Sequence, residues 1–410
     1  MFLYKNMKIG IDASRANRDF KTGTEWYSYY LINNLIEIDK DNKYILYTDK
    51  PLSEKFLQDL NLGKNKHVKI KVLRWPFKFF WTLGRLSLEM IFYRPDVLFV
   101  PAHVMPLFFP KKSITTIHDV AFVKNKCLYE KEIVDFESSL LKKIIKFFIS
   151  IFTRGKCKLR SSDYLNWSTK FALKRVKKII SVSRFTKKEI LSNYKIAESK
   201  ISVVHNGFNN NLYKKSENEE ELSRILFDYG LDKPYFLYVG RIEKKKNISL
   251  LIRSFNLYKE RNKESKEKLV LVGNIGFGYD EIKYIISEFD LFKDIVMLGW
   301  VEERDMPYIF SGAEAFIFPS LYEGFGIPIL QAMACGVPVI ASDIEVLREV
   351  GGESPLFFNP FSEDDLCDKM ELLIRDKDGV KKMIEDGLLR SKNFSWEKCA
   401  KETLKEIKLL

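Results

Sequence analysis

Residues 315–342 read AFIFPSLYEGFGIPILQAMACGVPVIAS. Two short apolar runs, AFIFPS (315–320) and VPVIAS (337–342), enclose a turn and an amphipathic segment, the pattern of strand, loop, helix and strand. Parallel strands need a crossover helix of this kind. Within the loop, Glu323 sits on a glycine-containing turn (Gly324, Gly326), and Pro328 suits the first turn of a helix. A helix N-terminus with unpaired N–H groups favours an anion, and small residues let a phosphate approach the backbone. Taken alone, the same letters also describe an acidic surface loop ahead of a core helix.

Outward from this segment the alternation continues. KIGID (8–12), KYILYT (43–48), HVKIKVL (67–73), DVLFVP (96–101), SITTIHD (113–119), KIISVS (178–183) and KISVVHN (200–206) form one series of strands. PYFLYVG (234–240), KLVLVG (268–273), IVMLGW (295–300), AFIFPS and VPVIAS form a second. Strands separated by helical segments imply parallel sheets with helices on both faces, so the chain reads as α/β with two doubly wound, Rossmann-like domains. The polar, Asn- and Gly-bearing stretch NGFNNNLYKKSENEE (206–220) marks the boundary. Domains are expected at 1–207 and 208–394, with residues 395–410 forming a terminal helix that packs back on the first domain. Met7 opens the first strand, which leaves residues 1–6 outside the expected structure.

Composition excludes several classes. The chain has 410 residues, 46% hydrophobic and 30% charged, enough for two ordinary cores. Its five cysteines (Cys127, Cys157, Cys335, Cys367, Cys399) show neither disulfide nor zinc spacing, which fits a reducing compartment. No signal-peptide pattern opens the sequence, and no apolar run nears the roughly 18 to 20 residues that span a bilayer. The net charge of +13 is unevenly spread: residues 138–178 carry twelve Lys or Arg against the single acid Asp163. Within them, SSLLKKIIKFFISIF (138–152) sets Leu141, Ile144, Ile145, Phe148 and Phe152 at helical spacing among Lys142, Lys143 and Lys146. A basic amphipathic helix of this kind suits an anionic membrane surface, at about 1 kcal/mol per basic residue, or packs on its own domain with a solvated lysine face. No nucleic-acid reader motif accompanies the charge, so nucleic acid is not an expected partner.

In such sheets ligands bind beyond the strands' carboxyl ends. The residues there are Gly23 and Thr24 in a glycine loop entering a helix, His118 after SITTI, Arg241 and Lys246 after PYFLYVG, Val301 after IVMLG, and Glu323. Each has a plain alternative: a satisfied core histidine, a surface ion pair, a solvated lysine run. The series Gly273-Asn-Ile-Gly276-Phe-Gly278 lacks the spacing of a dinucleotide fingerprint, which argues against NAD. Two fixed cations, a helix N-terminus and a carboxylate on one domain's strand ends suit a diphosphate with a sugar attached.

The segments GTEWYSYYL, DVLFVPAHVMPL, TTIHDVAF, IISVSRFTKKEI, VVHNGF, YVGRIEKKKN, MLGWV, PSLYEGFGIP and AMACGVPVIAS together resemble the GT-B glycosyltransferases of family 4, in family order. The resemblance implies two domains facing across a cleft and a retaining hexosyl transfer from a nucleotide-diphosphate sugar, with no metal. By the same resemblance Arg241 and Lys246 clamp the diphosphate, and Glu323 holds hydroxyls of the transferred sugar. Backbone N–H groups of Gly324, Phe325 and Gly326 hold the distal phosphate, and Val301 meets the base. Gly23 and Thr24 face the diphosphate, and His118 orients a donor hydroxyl. No carboxylate stands out as the nucleophile of a double displacement, which needs an acid about 5 to 5.5 Å away. Same-face attack, with the departing phosphate taking the acceptor proton, is what the family implies.

Two positions depart from the family. Gln331 stands eight residues after Glu323, where a second Glu usually accepts from the ribose hydroxyls, and Arg184 follows VS where an acid is frequent. Glutamine has one acceptor oxygen, so a ribose diol is held less well. GDP-mannose is the favoured donor, followed by a dTDP-deoxysugar and then UDP-sugars. A catalytically weakened nucleotide-sugar-binding subunit is the alternative from another class. The basic stretch and the aromatic clusters RWPFKFFW (74–81) and LFFPKK (107–112) point to a lipid-linked, lipopolysaccharide or polysaccharide acceptor. The expected location is cytoplasmic, peripheral on the inner face of the plasma membrane.

Overall fold

A strand buried on both faces needs apolar side chains at successive positions rather than alternate ones, as in VLFV (97–100), YFLYV (235–239) and AFIF (315–318), whereas the edge strand VKIKV (68–72) alternates. The computed structural model describes residues 6–76, 80–124 and 161–410. Lys142, Lys143, Lys146 and the rest of the basic stretch before Ser161 lie outside the described residues, as do Cys127, Cys157 and residues 77–79 of the aromatic cluster. The chain divides into two units. One comprises the N-terminal part through Gly207 with Trp396–Leu410, and the other is Phe208–Ser395.

The first unit's described strands are β1 (Lys8–Asp12), β2 (Lys43–Thr48), β3 (Val68–Val72), β4 (Val97–Val100), β5 (Ser113–Ile117), β6 (Lys178–Ser181) and β7 (Ile201–Val203). They form a parallel sheet in the order β3-β2-β1-β4-β5-β6-β7. Every residue of β4 and β5 is buried. The polar letters of SITTI are tolerated there because their hydroxyls are paired: Ser113 donates to the Pro110 carbonyl at 2.8 Å, and Thr116 lies 3.0 Å from the Tyr27 hydroxyl.

The second unit's described strands are β8 (Tyr235–Val239), β9 (Lys268–Val272), β10 (Ile295–Gly299), β11 (Ala315–Phe318), β12 (Val339–Ser342) and β13 (Leu356–Phe358), in the order β10-β9-β8-β11-β12-β13. All its strand pairs are parallel. The helix Ile248–Arg261 lays Leu251, Ile252, Phe255 and Tyr258 into this unit's core at helical spacing, against Phe236 and Tyr238 of β8. The two parallel α/β sheets are those the alternating pattern implied. The strand it missed, β13, has only three residues and carries no alternation to read.

The terminal helix Trp396–Lys408 packs within the first unit. Its Trp396 stacks on Tyr30 at 5.6 Å and meets Tyr27 edge-on at 5.9 Å, both on the helix Gly23–Ile38. Glu406 pairs with Lys178 at 3.2 Å, and Cys399, Ala400 and Ile407 are buried beneath. Among the described residues no helix is long and apolar enough to cross a membrane. Trp396→Ala removes the largest group in this contact, and chemical denaturation is expected to show a loss of about 3–5 kcal/mol.

Candidate active site

The second sheet reverses its strand order between β8 and β11, so the crevice for a ligand opens beyond the carboxyl ends of these two strands. After β8 the chain makes a tight turn at Lys244–Lys246, and Asn247 then opens the next helix. The Asn247 amide pins this corner by donating to the Pro360 carbonyl at 2.8 Å. After β11 comes the loop that carries Glu323. The two loops are clipped together by the Leu321 N–H donating to the Lys245 carbonyl at 3.1 Å. Across that clip the Lys246 ammonium is hydrogen-bonded to the Glu323 carboxylate. Both side chains are 14% exposed, and Lys246 also lies 5.6 Å from the centre of the Phe318 ring. At such burial each charge depends on the other, because removing one leaves its partner desolvated and uncompensated.

Arg241 lies on the same loop after β8, with its side chain 54% exposed and 3.8 Å from Glu243. Its backbone is fixed by the Tyr238 hydroxyl, which donates to the Arg241 carbonyl at 3.0 Å. The glycines of Gly273-Asn-Ile-Gly276 have a packing reason. A Cβ on Gly273, whose φ is +134°, would lie 2.1 Å from the Gly240 carbonyl oxygen, and one on Gly276 would lie 3.1 Å from the Arg241 Nε. The loop after β9 thus presses on the loop that carries Arg241, which explains a glycine pattern without dinucleotide spacing. Val301 is buried just past β10, next to the exposed Trp300.

The helix Ile327–Ala334 starts at Gly326, in the left-handed region with φ +103°, and has Pro328 in its first turn. Phe325 is buried, its ring against Phe394 at 5.8 Å. Gln331 lies half-buried on that helix, so Arg241, Lys246, Glu323, the Gly324–Gly326 turn, Val301 and Gln331 all belong to one unit.

The first sheet reverses between β1 and β4. Gly23 and Thr24 open the helix Gly23–Ile38 behind a capping box of Thr22 and Glu25. A Cβ on Gly23 would meet nothing within 4 Å. Burial works against the Glu25 carboxylate, but hydrogen bonds from Thr22 and the charge of Arg15 hold it below the usual range. His118 follows β5, 4.7 Å from the edge-on Tyr27 ring. Its Nε2 lies 3.0 Å from the Pro101 carbonyl, which only accepts, so Nε2 carries the proton and Nδ1 is left as an acceptor. Burial lowers the His118 pKa, outweighing that hydrogen bond and the nearby Asp119.

Residues 22–212 match the family described as Glycosyltransferase Family 4, and residues 217–390 the one described as Glycosyl transferases group 1. The O-antigen chain mannosyltransferase B of Escherichia coli is 32% identical over 267 residues, covering 64% of this chain and 68% of that protein. The chain belongs to the group 1 glycosyltransferases. The O-antigen chain mannosyltransferase RfbU of Salmonella typhimurium is 29% identical over 200 residues, 49% of this glycosyltransferase and 52% of the relative. In fold, the transferase is similar to the sucrose-phosphate synthase of Thermosynechococcus elongatus, with a TM-score of 0.72 at 17% identity over 98% of this chain and 99% of that one.

Several site neighbours of the transferase escape sequence reasoning. Tyr238 and Phe318 read as strand core, yet one fixes the Arg241 backbone and the other lies beside the Lys246 ammonium. Asp12, Arg15, Glu25 and His103 are scattered in sequence and converge only through the parallel topology of the first sheet. The one signal available was position, since Asp12 ends β1 and His103 follows β4.

Burial, aided by the charge of Arg15 and by repulsion from His118 whenever that ring is protonated, pushes the His103 pKa down to about 3. A histidine held neutral in the fold takes up its proton more readily when unfolded, so stability from this group is present above about pH 6.5 and is lost as pH falls toward 3. Melting temperatures measured across pH 4–7 are expected to fall on acidification, and His103→Gln to flatten that decline. Identical slopes for both proteins would contradict it.

Proposed function

We propose that this glycosyltransferase moves mannose from GDP-mannose, with retention at the anomeric carbon, onto a lipid-linked, lipopolysaccharide or polysaccharide acceptor. The observation that carries the reading is the Lys246–Glu323 pair at the strand reversal of the second sheet, with Arg241 on the loop that carries Lys246. The mannosyltransferase names of its relatives support the sugar. An ammonium has three N–H donors and a carboxylate several lone pairs, so the pair keeps its mutual bond while Lys246 meets a phosphate oxygen and Glu323 accepts from a sugar hydroxyl.

As the bond from the anomeric carbon to phosphate oxygen breaks, negative charge collects on the diphosphate. Arg241 and Lys246 stabilise that charge, and the N–H groups of Gly324, Phe325 and Gly326 add fixed dipoles. The acceptor hydroxyl bonds to the same face of the anomeric carbon, and its proton passes to the departing phosphate oxygen, giving the nucleoside diphosphate and the glycoside. His118 accepts a donor hydroxyl at Nδ1, Gly23 and Thr24 offer N–H groups to the diphosphate, and Val301 meets the base through its backbone. On this reading the two cations replace a divalent ion, and transfer proceeds unchanged in EDTA.

Gln331 favours a second reading, a dTDP-deoxysugar donor, because its single acceptor oxygen matches a sugar with one hydroxyl fewer. Thermal shifts against matched concentrations of GDP-mannose, dTDP-sugars and UDP-sugars separate the two, since the tighter ligand raises the melting temperature more. GDP-mannose is expected to give the largest shift; UDP-sugars shifting the protein far above the others would overturn the ranking. A thermal shift without measurable donor hydrolysis or transfer would favour the weakened binding subunit, and flat responses to all three would contradict both donor readings.

The transferase is further proposed to work at the inner face of the plasma membrane through Lys142, Lys143 and Lys146. Support comes from the helix Ser87–Phe92, where Leu88, Ile91 and Phe92 are exposed at the spacing of one face, followed by exposed Tyr93. Replacing the three lysines by glutamine is expected to weaken partition onto anionic vesicles by about 3 kcal/mol, on the order of a hundredfold. Unchanged sedimentation with the vesicles would sink the membrane claim.

A further inference from the structure

Glu243 has no part in the donor roles above, yet it is the acid that pairs with Arg241. Residues 241–246 read RIEKKK, in which Glu243 is the single carboxylate among four cations. The loop after β9 fixes their backbone. The Ile242 N–H donates to the Asn274 carbonyl at 2.9 Å, the Gly276 N–H to the Ile242 carbonyl at 2.8 Å and the Lys244 N–H to the Phe277 carbonyl at 2.9 Å. Ile242 forms a parallel bridge with Ile275 and is fully buried. Side chains alternate along extended backbone, so with Ile242 turned inward Arg241 and Glu243 share the opposite side.

Both side chains then cross the same glycine. A Cβ on Gly276 would lie 2.8 Å from the Glu243 Cβ and 3.1 Å from the Arg241 Nε. The bare backbone lets the arginine lie along the loop toward the carboxylate. Glu243, with its side chain 16% exposed, divides its two oxygens: Oε2 is 3.8 Å from the Arg241 Nε, and Oε1 is 3.3 Å from the Lys245 ammonium. Among the described residues no other acid forms an ion pair with Arg241.

With the arginine half exposed, a pair of this length adds little to stability. Its consequence is directional. An unheld arginine samples many rotamers, and that freedom is lost when the side chain engages a ligand. A guanidinium held at Nε keeps both Nη groups for another partner, and that edge donates the parallel hydrogen bonds that a phosphate accepts. The Lys245 ammonium steadies the carboxylate from its other oxygen.

We propose that Glu243 is a positioning residue: it holds the Arg241 guanidinium at Nε, so that the Nη edge meets the donor diphosphate already oriented. The proposal rests on the transferase reading above and adds to it a carboxylate that aids the binding of an anion.

The sign of that effect provides the test. If Glu243 acted only as a negative charge near the diphosphate, its removal would tighten GDP binding. As a positioning residue, its removal weakens it. In calorimetric titrations of the full chain with GDP, Glu243→Gln is expected to bind about three- to tenfold more weakly than the unaltered protein. In the Arg241→Lys background the same change is expected to leave GDP affinity unchanged or raise it, since lysine has no Nε to hold. Nitrogen-edited NMR of the Arg241 Nε–H, assigned by its loss in Arg241→Lys, is expected to show an ordered side chain in the ligand-free protein and a mobile one in Glu243→Gln. Unchanged or tighter GDP binding by Glu243→Gln, an equal loss in both backgrounds, or an Arg241 equally ordered without the carboxylate would overturn the proposal. Should Glu243→Gln not fold, the unaltered protein decides, because a mobile Arg241 Nε–H in its ligand-free form also overturns it. Failure of GDP, UDP and dTDP alike to bind sinks the donor reading instead, while the Nε–H signal still judges the positioning.

Discussion

The ion pair between Lys246 and Glu323 joins two loops that lie 77 residues apart in the sequence, and it does so where the second sheet reverses. Its position follows from the fold, because parallel strands put all their outgoing loops at one end. Its strength follows from its surroundings. With the Phe318 ring nearby, partial burial of both groups and a backbone clip beneath them, neither charge finds an equivalent partner in water. Around this fixed dipole the remaining groups fall into place: Arg241 held from behind by Tyr238, and the glycine turn leading into the helix Ile327–Ala334.

The two units share an architectural device and differ in chemistry. At the second reversal stand Lys246 and Glu323, with Arg241 on the same loop as Lys246. The first gathers Asp12, Arg15, Glu25, His103 and His118 near its own reversal. The terminal helix Trp396–Lys408 belongs to this first unit, where its indole stacks on the helix that begins at Gly23. That packing fixes the helix whose first turn carries Gly23, Thr24 and Glu25.

Much of the fold was legible because strands buried on both faces leave continuous apolar runs, which VLFV, YFLYV and AFIF show plainly. The three-residue β13 left no such trace. Of the site, Arg241, Lys246 and Glu323 were legible as charges at strand ends, while their roles came from resemblance to a family. The close approach of Gly273 to Gly240 was not legible, since it depends on two loops meeting across neighbouring strands. His103 was invisible for a similar reason: nothing in PAHVMP says that its imidazole would stand beside Arg15 and His118.

The central claim is that Lys246 and Glu323 act as one unit on the donor. A double-mutant cycle of Lys246→Met and Glu323→Gln, read as kcat/KM for transfer from GDP-mannose, addresses it directly. Groups in contact couple by about 0.5–3 kcal/mol, whereas independent sites add within about 0.3–0.5 kcal/mol. The account predicts that each single substitution cripples transfer and that the double variant is scarcely worse than either. Losses that simply add, or a variant of either residue that transfers mannose at the unaltered rate, would contradict it.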